Sequence, residues 1–241
     1  MCTLQKRNNL FILTLTGSDQ HRLNPTLIAT IRSLLSEVKS QSTPGTALIT
    51  VAEGNFFSNG FDLAWASSQS NGSPSEAVNL LRHMVKLFKP LVADLISLPM
   101  PTIAAVTGHA AAAGLLLAMS HDYVMMRRDR GVLYMSEVDL GMTLPDYFTV
   151  VMREKVARAE VRRDVLLRGV KVKADEAVVK GLVDSAYDSA EDTVAGAVKL
   201  GEELVKRKWD GEVYGEIRKA LYPEMCNVLG LTAKSVVKAR L

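Results

Sequence analysis

The chain alternates short apolar runs with longer amphipathic stretches through most of its length. The runs at residues 10–15, 47–51 and 102–106 are nearly continuous, which is typical of strands in a sheet that is covered on both faces. Shorter runs at 122–126 and 183–187 are predicted as two further strands.

Apolar residues at helical spacing mark the stretches between and after these runs. Asn24 and Pro25 open the first predicted helix, as its cap and its first residue. A second helix is predicted over 76–98, with Pro90 as a kink or break, after a polar loop at 67–75. The other predicted helices cover 114–120, 145–153, 158–167, 174–180, 190–208 and 212–221, with a last amphipathic stretch from 224. Strands alternating with helices, followed by helices alone, predict an α/β core with a C-terminal helical region.

Composition narrows the class of protein. The chain has 241 residues, 48% of them hydrophobic, and a net charge of +3, which fits one globular domain and is too small a charge to argue for nucleic acid. The longest apolar stretch, 102–119, is interrupted by Gly108, His109 and Gly114 and makes a poor membrane span. The two cysteines, Cys2 and Cys226, give no metal-site spacing.

The C-terminal tripeptide Ala239-Arg240-Leu241 is similar to the Ser-Lys-Leu address that a peroxisomal import receptor binds. Three residues match so loose a pattern by chance quite often. A peroxisomal location is therefore an expectation that depends on fatty-acyl chemistry elsewhere in the chain.

Two loops and one carboxylate carry the chemistry. Residues 56–63 (FFSNGFDL) and 108–114 (GHAAAAG) each follow a predicted strand and contain small residues that let backbone approach a ligand. Two backbone N–H groups that converge on one carbonyl oxygen form an oxyanion hole. The alternatives are a plain strand-to-helix turn capped by Asp62 for the first loop and tight helix–sheet packing for the second. Glu137 lies in a mostly apolar stretch and is either a catalytic acid or a surface carboxylate.

These segments resemble the crotonase, or enoyl-CoA hydratase/isomerase, superfamily, and within it the plant-type peroxisomal Δ3,Δ2-enoyl-CoA isomerases. The resemblance extends over roughly residues 10–187, and the segments that carry it are 57–63, 101–110, Ala113-Gly114 and 120–123. It implies a crotonase-like spiral of ββα units over 1–187 that holds the acyl-CoA site. It further implies a helical region over 188–241 that supports a homotrimer or a dimer of trimers.

The resemblance also implies roles for individual residues. The backbone N–H groups of Phe61 and Ala113 would form the oxyanion hole, and Glu137 would be the acid/base. Hydratases of the family carry a second glutamate at the position of Leu116, so a single carboxylate favours a double-bond shift over hydration. No metal and no redox cofactor are implied, since CoA is part of the substrate.

Contacts to the acyl-CoA are expected from a wider set of residues. This set is Arg22, Leu23, Ser58, Asn59, Gly60, Leu116, Met142 and Leu144. The stretch 141–148 replaces a glycine-rich segment of many relatives, which leaves the preferred acyl length open. Asp146 is a helix cap or, for a dienoyl-CoA isomerase, a second acid. A non-catalytic acyl-CoA-binding protein is the alternative from another class, and His109 and His121 are interpreted as structural.

Overall fold

The structure, a computed structural model, describes residues 1–238, so the tripeptide 239–241 lies outside the described residues. The strands are β1 (Cys2–Arg7), β2 (Leu10–Leu15), β3 (Ala47–Ala52), β4 (Phe56–Ser58), β5 (Thr102–Val106), β6 (His109–Ala111), β7 (Tyr123–Arg127), β8 (Leu133–Tyr134) and β9 (Ser185–Tyr187). The helices are α1 (Pro25–Ser40), α2 (Leu63–Gln69), α3 (Pro74–Ile96), α4 (Ala113–Met119), α5 (Asp146–Lys155), α6 (Ala159–Leu167), α7 (Ala174–Val179), α8 (Ala190–Val205), α9 (Gly211–Leu221) and α10 (Pro223–Leu229). The predicted α/β class is confirmed.

A six-stranded sheet forms the centre of the fold, in the order β1-β2-β3-β5-β7-β9. Strands β1 and β2 are antiparallel, and every other neighbouring pair is parallel. Both faces of the middle strands are covered, because alternate residues of β2 enter two different core clusters. Phe11, Leu13 and Leu15 pack on one side, whereas Leu10 and Ile12 pack against the side that α8 covers. This burial explains why the predicted strands are continuous apolar runs.

A second, three-stranded sheet of parallel strands lies beside the first, in the order β4-β6-β8. Three times in succession the chain passes through a strand of the large sheet, a strand of the small sheet and then helix: β3-β4-α2-α3, β5-β6-α4 and β7-β8-α5. An isolated bridge between Leu23 and Phe61 adds one more residue pair to the edge of the small sheet. The carboxyl ends of β4, β6 and β8 therefore meet at one edge.

Two local predictions need correction. Helix α3 runs through Pro90 without a break, which excludes one of the two predicted alternatives, because its second half is held by buried side chains such as Phe88 and Leu91 on either side of the proline. The predicted loop at 67–75 is shorter than expected. Helix α2 extends to Gln69, and its first turn is capped by the Asp62 side chain, which accepts a hydrogen bond from the Trp65 N–H at 2.9 Å.

The C-terminal helices are attached to the core by a buried ion pair. Arg218 of α9 donates to both carboxylate oxygens of Asp122, at 2.6 and 2.5 Å, and to the carbonyl oxygens of Leu98 and Met100. Helix α8 packs directly on the large sheet, and the division at residue 187 stays a prediction. Across residues 1–238, no helix is both long and apolar enough to cross a bilayer.

Candidate active site

Three loops meet where the small parallel sheet ends. The loop after β4 contains Gly60 and Phe61, the turn after β6 contains Ala112 and leads into Ala113 at the start of α4, and the segment after β8 contains Glu137. The Ala112 N–H donates to the Tyr134 carbonyl at 2.9 Å, which connects the second loop to the last residue of β8. The fold thus places the two predicted loops and the segment of the predicted acid at the same edge of the small sheet, although they are far apart in sequence.

Glycines allow the first two loops to touch. A Cβ added to Gly114 would lie 2.2 Å from the Ser58 carbonyl oxygen, and one added to Gly108 would lie 2.2 Å from the Asn55 carbonyl oxygen. A Cβ on Gly60, whose φ is +72°, would lie 3.4 Å from the Ala113 nitrogen. Only glycine fits at these contacts, so the distance between the loops is fixed by the backbone itself.

The N–H groups of Phe61 and Ala113 have no acceptor within residues 1–238. The carbonyl oxygens of the same two peptide units are occupied. The Gly60 oxygen accepts from the Leu23 N–H at 2.8 Å, and the Ala112 oxygen accepts from the Leu116 N–H at 3.1 Å. Two free donors on peptides that are fixed from the other end can stabilise an oxygen that gains negative charge.

The backbone is strained at Ala112, the residue before the second donor, Ala113. Ala112 has φ +50° and ψ −121°, a conformation that is costly for a residue with a Cβ. Ala112 is also the N-cap of α4, so the strained residue immediately precedes the Ala113 N–H at the start of the helix. The alanine-rich sequence gave no sign of this strain.

Glu137 is buried, with 8% of its surface exposed, and its Oε2 atom has no hydrogen-bond partner within the described residues. Burial raises the pKa of Glu137 above its ordinary value, and hydrogen bonds from backbone N–H groups offset this only in part. A desolvated carboxylate without a cation beside it is a stronger base than a solvated one. Its own carbonyl accepts from the Met142 N–H at 2.9 Å, which closes the turn that holds it.

Two other acids in or near the predicted motifs differ from Glu137. Asp122 is saturated by Arg218, the Tyr214 hydroxyl and the Thr102 N–H, and despite the cost of its burial these partners hold the pKa of Asp122 below the usual value. Asp146 is exposed, accepts from the Tyr147 N–H at 2.7 Å, and forms an ion pair with Lys89 at 3.7 Å. Asp146 is therefore the first residue of α5 and a surface ion-pair partner, close to the predicted cap role.

Apolar side chains surround the loops. Leu116 is fully buried in α4, and Met142 and Leu144 are half-buried on the segment between Glu137 and α5. The Phe61 ring contacts Phe88 edge-on at 5.6 Å and stacks on Phe148 at 6.3 Å between ring centroids. This aromatic cluster, which was not predicted as part of the site, helps to keep the surroundings of Phe61 apolar.

The remaining predicted contacts lie on the first loop and its neighbour. The Ser58 hydroxyl is buried and donates to the His21 carbonyl at 2.9 Å, while the Leu23 backbone is paired with Gly60 and Asp62. Arg22 and Asn59 are half-buried, and both donate to the side chain of Gln20. Whether these residues contact a substrate stays a prediction.

His121, one of the two histidines beside the motifs, has structural surroundings, whereas the role of His109 stays a prediction. His121 is buried, and its Nδ1 donates to the Leu117 carbonyl at 2.9 Å while its Nε2 accepts from the Thr50 hydroxyl at 2.8 Å. Burial lowers the pKa of His121 to about 4, so the ring is neutral. In the described part of the chain, no group of three His, Cys, Asp or Glu side chains is arranged to hold a metal ion.

A cavity of about 720 Å³ lies elsewhere, beside α9. Asp122, Trp209, Tyr214 and Ile217 are among its lining residues, and the three loops of the small sheet contribute none. The chemistry of Glu137 and the two free donors, rather than the size of a hollow, identifies the candidate site.

Comparison with known proteins gives a consistent result. Residues 5–216 match the family model described as enoyl-CoA hydratase/isomerase. The chain is 61% identical to "Enoyl-CoA delta isomerase 2, peroxisomal" of Arabidopsis thaliana over 235 residues, which covers 97% of each chain. It is 58% identical to "Enoyl-CoA delta isomerase 3" of the same plant over 237 residues, which covers 98% of each.

Solved structures agree on the fold. A probable enoyl-CoA hydratase from Mycobacterium tuberculosis superposes with a TM-score of 0.83 over 95% of this chain and 91% of that one, at 20% identity. An enoyl-CoA hydratase from Mycobacterium marinum gives a TM-score of 0.81 at 19% identity, over 95% of this chain and 94% of that one. The alternation of large-sheet strand, small-sheet strand and helix is thus the crotonase fold.

Proposed function

The chain belongs to the enoyl-CoA hydratase/isomerase family, and on that basis we propose that it is a Δ3,Δ2-enoyl-CoA isomerase. Three relatives at 55–61% identity are named enoyl-CoA delta isomerases and match over nearly their whole length. The observation that supports the proposal is a buried glutamate, Glu137, whose Oε2 has no partner and which follows β8 at the edge of the small sheet where two backbone N–H groups also lack an acceptor within the described residues.

The reaction needs a base and a place for negative charge. A 3-enoyl thioester loses a proton from C2 to the Glu137 carboxylate, and the electrons move to the thioester oxygen to give a dienolate. The Phe61 and Ala113 N–H groups stabilise that oxygen, and loss of one such donor typically costs about 3 kcal/mol of barrier. Glu137 then returns the proton to C4, which yields the conjugated 2-enoyl thioester and restores the carboxylate.

A single acid suits this reaction better than hydration. Hydration needs a water molecule held between two carboxylates, and the family resemblance implies that Leu116 stands where hydratases carry the second one. Leu116 is fully buried and has no acid function. The raised pKa of Glu137 also helps, because a stronger carboxylate base takes a weakly acidic carbon-bound proton more readily.

The substrate is an acyl-CoA, with CoA as part of the substrate rather than a cofactor. Arg22 donates to the Phe61 carbonyl of the first loop at 3.4 Å and is a candidate for binding a CoA phosphate. Two of the relatives are named as peroxisomal, which supports a peroxisomal place in the β-oxidation of unsaturated fatty acids. Recognition of Ala239-Arg240-Leu241 by an import receptor and assembly as a trimer or a dimer of trimers are parts of the same proposal.

Two rival functions are less well supported. A dienoyl-CoA isomerase needs a second acid across the pocket, and Asp146 is exposed and paired with Lys89. A non-catalytic acyl-CoA-binding protein has no need of a buried carboxylate without a partner, which destabilises the fold.

A direct assay tests the proposal. Purified protein is incubated with 3-hexenoyl-CoA while the ultraviolet absorbance of the conjugated 2-enoyl thioester is followed. Absorbance is expected to rise with the wild type and not with Glu137→Gln. If absorbance does not rise although the acyl-CoA binds, the isomerase is refuted, and deuterium exchange at C2 then separates another enolate reaction from simple binding.

A further inference from the structure

The first oxyanion loop is held by a neighbouring segment, residues 20–24, that precedes α1. The Gln20 carbonyl accepts from the Asn59 N–H at 2.8 Å, and the Leu23 N–H donates to the Gly60 carbonyl at 2.8 Å. The Leu23 carbonyl accepts from the Asp62 N–H at 3.2 Å. These bonds align the segment with the loop in the manner of a short parallel ladder.

The side chain of Gln20 forms hydrogen bonds with the side chains of both Arg22 and Asn59. The Gln20 Oε1 atom accepts from the Arg22 Nε at 2.7 Å and from the Asn59 Nδ2 at 3.0 Å. Arg22 in turn donates through its Nη1 to the Phe61 carbonyl at 3.4 Å. The side chain of Gln20 therefore contacts Asn59 directly, and it is connected to Phe61 through Arg22.

The segment that carries Gln20 is itself fixed. His21 is buried, with a positive φ of 43°, and its Nε2 donates to the Glu53 carbonyl at 2.7 Å. Such a backbone conformation persists only where the surroundings hold it. Gln20 therefore presents its side-chain oxygen from a rigid support.

We propose that Gln20 is a positioning residue for the oxyanion hole, which sets the direction of the Phe61 N–H by holding Arg22 and Asn59. The proposal rests on the proposed function. Gln20 touches no reacting atom, and it acts through the orientation of the Gly60–Phe61 peptide, whose carbonyl the Leu23 N–H polarises from the other side. A small misplacement of such a donor is sufficient to slow a reaction strongly.

Three substitutions at Gln20 test whether its effect comes from accepting hydrogen bonds or only from the space that its side chain fills. Gln20→Met keeps the length of the side chain and removes the acceptor, and Gln20→Ser removes it with a shorter polar group. Gln20→Glu keeps an oxygen that can accept from Arg22 and Asn59. The matched control is Gln5→Met on β1, because the exposed Gln5 also accepts from an arginine two residues away, Arg7, at 3.1 Å.

Two readouts are measured on folded protein. The first is kcat and KM with 3-hexenoyl-CoA. The second is the ultraviolet band of the enolate of a bound 3-ketoacyl-CoA, which reports stabilisation of a negative oxygen without turnover. We expect Gln20→Met and Gln20→Ser to lower kcat about tenfold or more, with KM changed less than about threefold and a matching loss of enolate. Gln20→Glu should restore both readouts, and Gln5→Met should leave them unchanged.

Several results would overturn the proposal. If folded Gln20→Met or Gln20→Ser kept the wild-type kcat and the wild-type enolate band, the proposal would be wrong. It would also be wrong if these variants changed only KM, because that is the behaviour of a residue that contacts the substrate. Equal loss in Gln20→Glu and Gln20→Met would show that the acceptor is irrelevant. A wild-type protein that stabilises no enolate would instead refute the proposed function, and the role of Gln20 with it.

Discussion

Replacing Glu137 by glutamine should remove activity and at the same time stabilise the fold. The two effects have one cause, because the carboxylate is buried with an oxygen that has no partner and a pKa that burial raises. A residue kept for stability would show the opposite behaviour. The combined result therefore distinguishes a catalytic acid from a structural one.

The expected magnitudes follow from the site. General acid–base catalysis typically contributes about 10²- to 10⁴-fold, and in the proposed mechanism Glu137 serves both proton transfers, so a loss of at least about 10³-fold in kcat is expected. An unsatisfied buried group costs about 1–3 kcal/mol, and an amide removes the charge but not every unpaired atom. A gain of about 1 kcal/mol at pH 7 would raise Tm by roughly 2–4 °C.

The stability difference should depend on pH in a defined direction. Since the pKa of Glu137 is raised in the folded state, the folded protein holds this proton more tightly than the unfolded chain. Its contribution to stability is full below the unfolded pKa of about 4.3 and is lost as pH rises through the folded pKa. The Tm advantage of Glu137→Gln should therefore be largest at neutral pH and disappear toward pH 4.

Turnover of 3-hexenoyl-CoA and thermal unfolding of the same samples provide the assay. Glu154→Gln is the matched control, because Glu154 also has a buried Oε2 without a partner but lies on α5 and accepts from the Glu224 N–H. It should keep wild-type activity. More than about a tenth of wild-type turnover in Glu137→Gln, or a lower Tm at pH 7, would refute the reasoning.

Three further predictions concern pH, packing and the C-terminal attachment. The kcat/KM of the wild type should fall on the acid side as Glu137 is protonated, with an apparent pKa above that of an ordinary glutamate; a pH–rate profile with no such limb would contradict this. Gly114→Ala should cost about 3 kcal/mol of unfolding free energy in a denaturant titration and most of the activity, since the added Cβ meets a carbonyl oxygen at 2.2 Å. Gly215→Ala in α9, with its nearest contact at 3.4 Å, should keep the activity and lower no stability, because alanine favours a helix more than glycine does. Arg218→Met should destabilise by about 3–5 kcal/mol because it leaves Asp122 buried and unpaired, and adding Asp122→Asn should recover part of that loss; no recovery would show that the charge is not the cause.

The elements that the sequence predicted well are those with both faces buried. Strands β2, β3 and β5 are continuous apolar runs because side chains on both faces enter a core. Strand β1 was missed because it is a mostly exposed edge with polar residues at Gln5, Lys6 and Arg7. Strands β4, β6 and β8 contain only two or three residues each, too few for any periodicity to show.

Some residues of the candidate site could also be recognised from the sequence, and others could not. The glycines of both loops and Glu137 stand out in the sequence, because their residue types are unusual for their surroundings. The strained backbone of Ala112 gave no signal, since alanine is not a residue that marks a positive φ. Gln20 was also missed, because its contact with Asn59 joins residues 39 positions apart and follows no local pattern.

The central claim is that one carboxylate removes the proton from C2 and delivers it to C4. Isotope tracing tests this most directly, with 3-hexenoyl-CoA deuterated at C2 and turned over by the wild type in ordinary water. Part of the deuterium is expected at C4 of the 2-enoyl product, and Glu137→Gln should form neither product nor label. Product without deuterium at C4, formed equally well by Glu137→Gln, would contradict this claim.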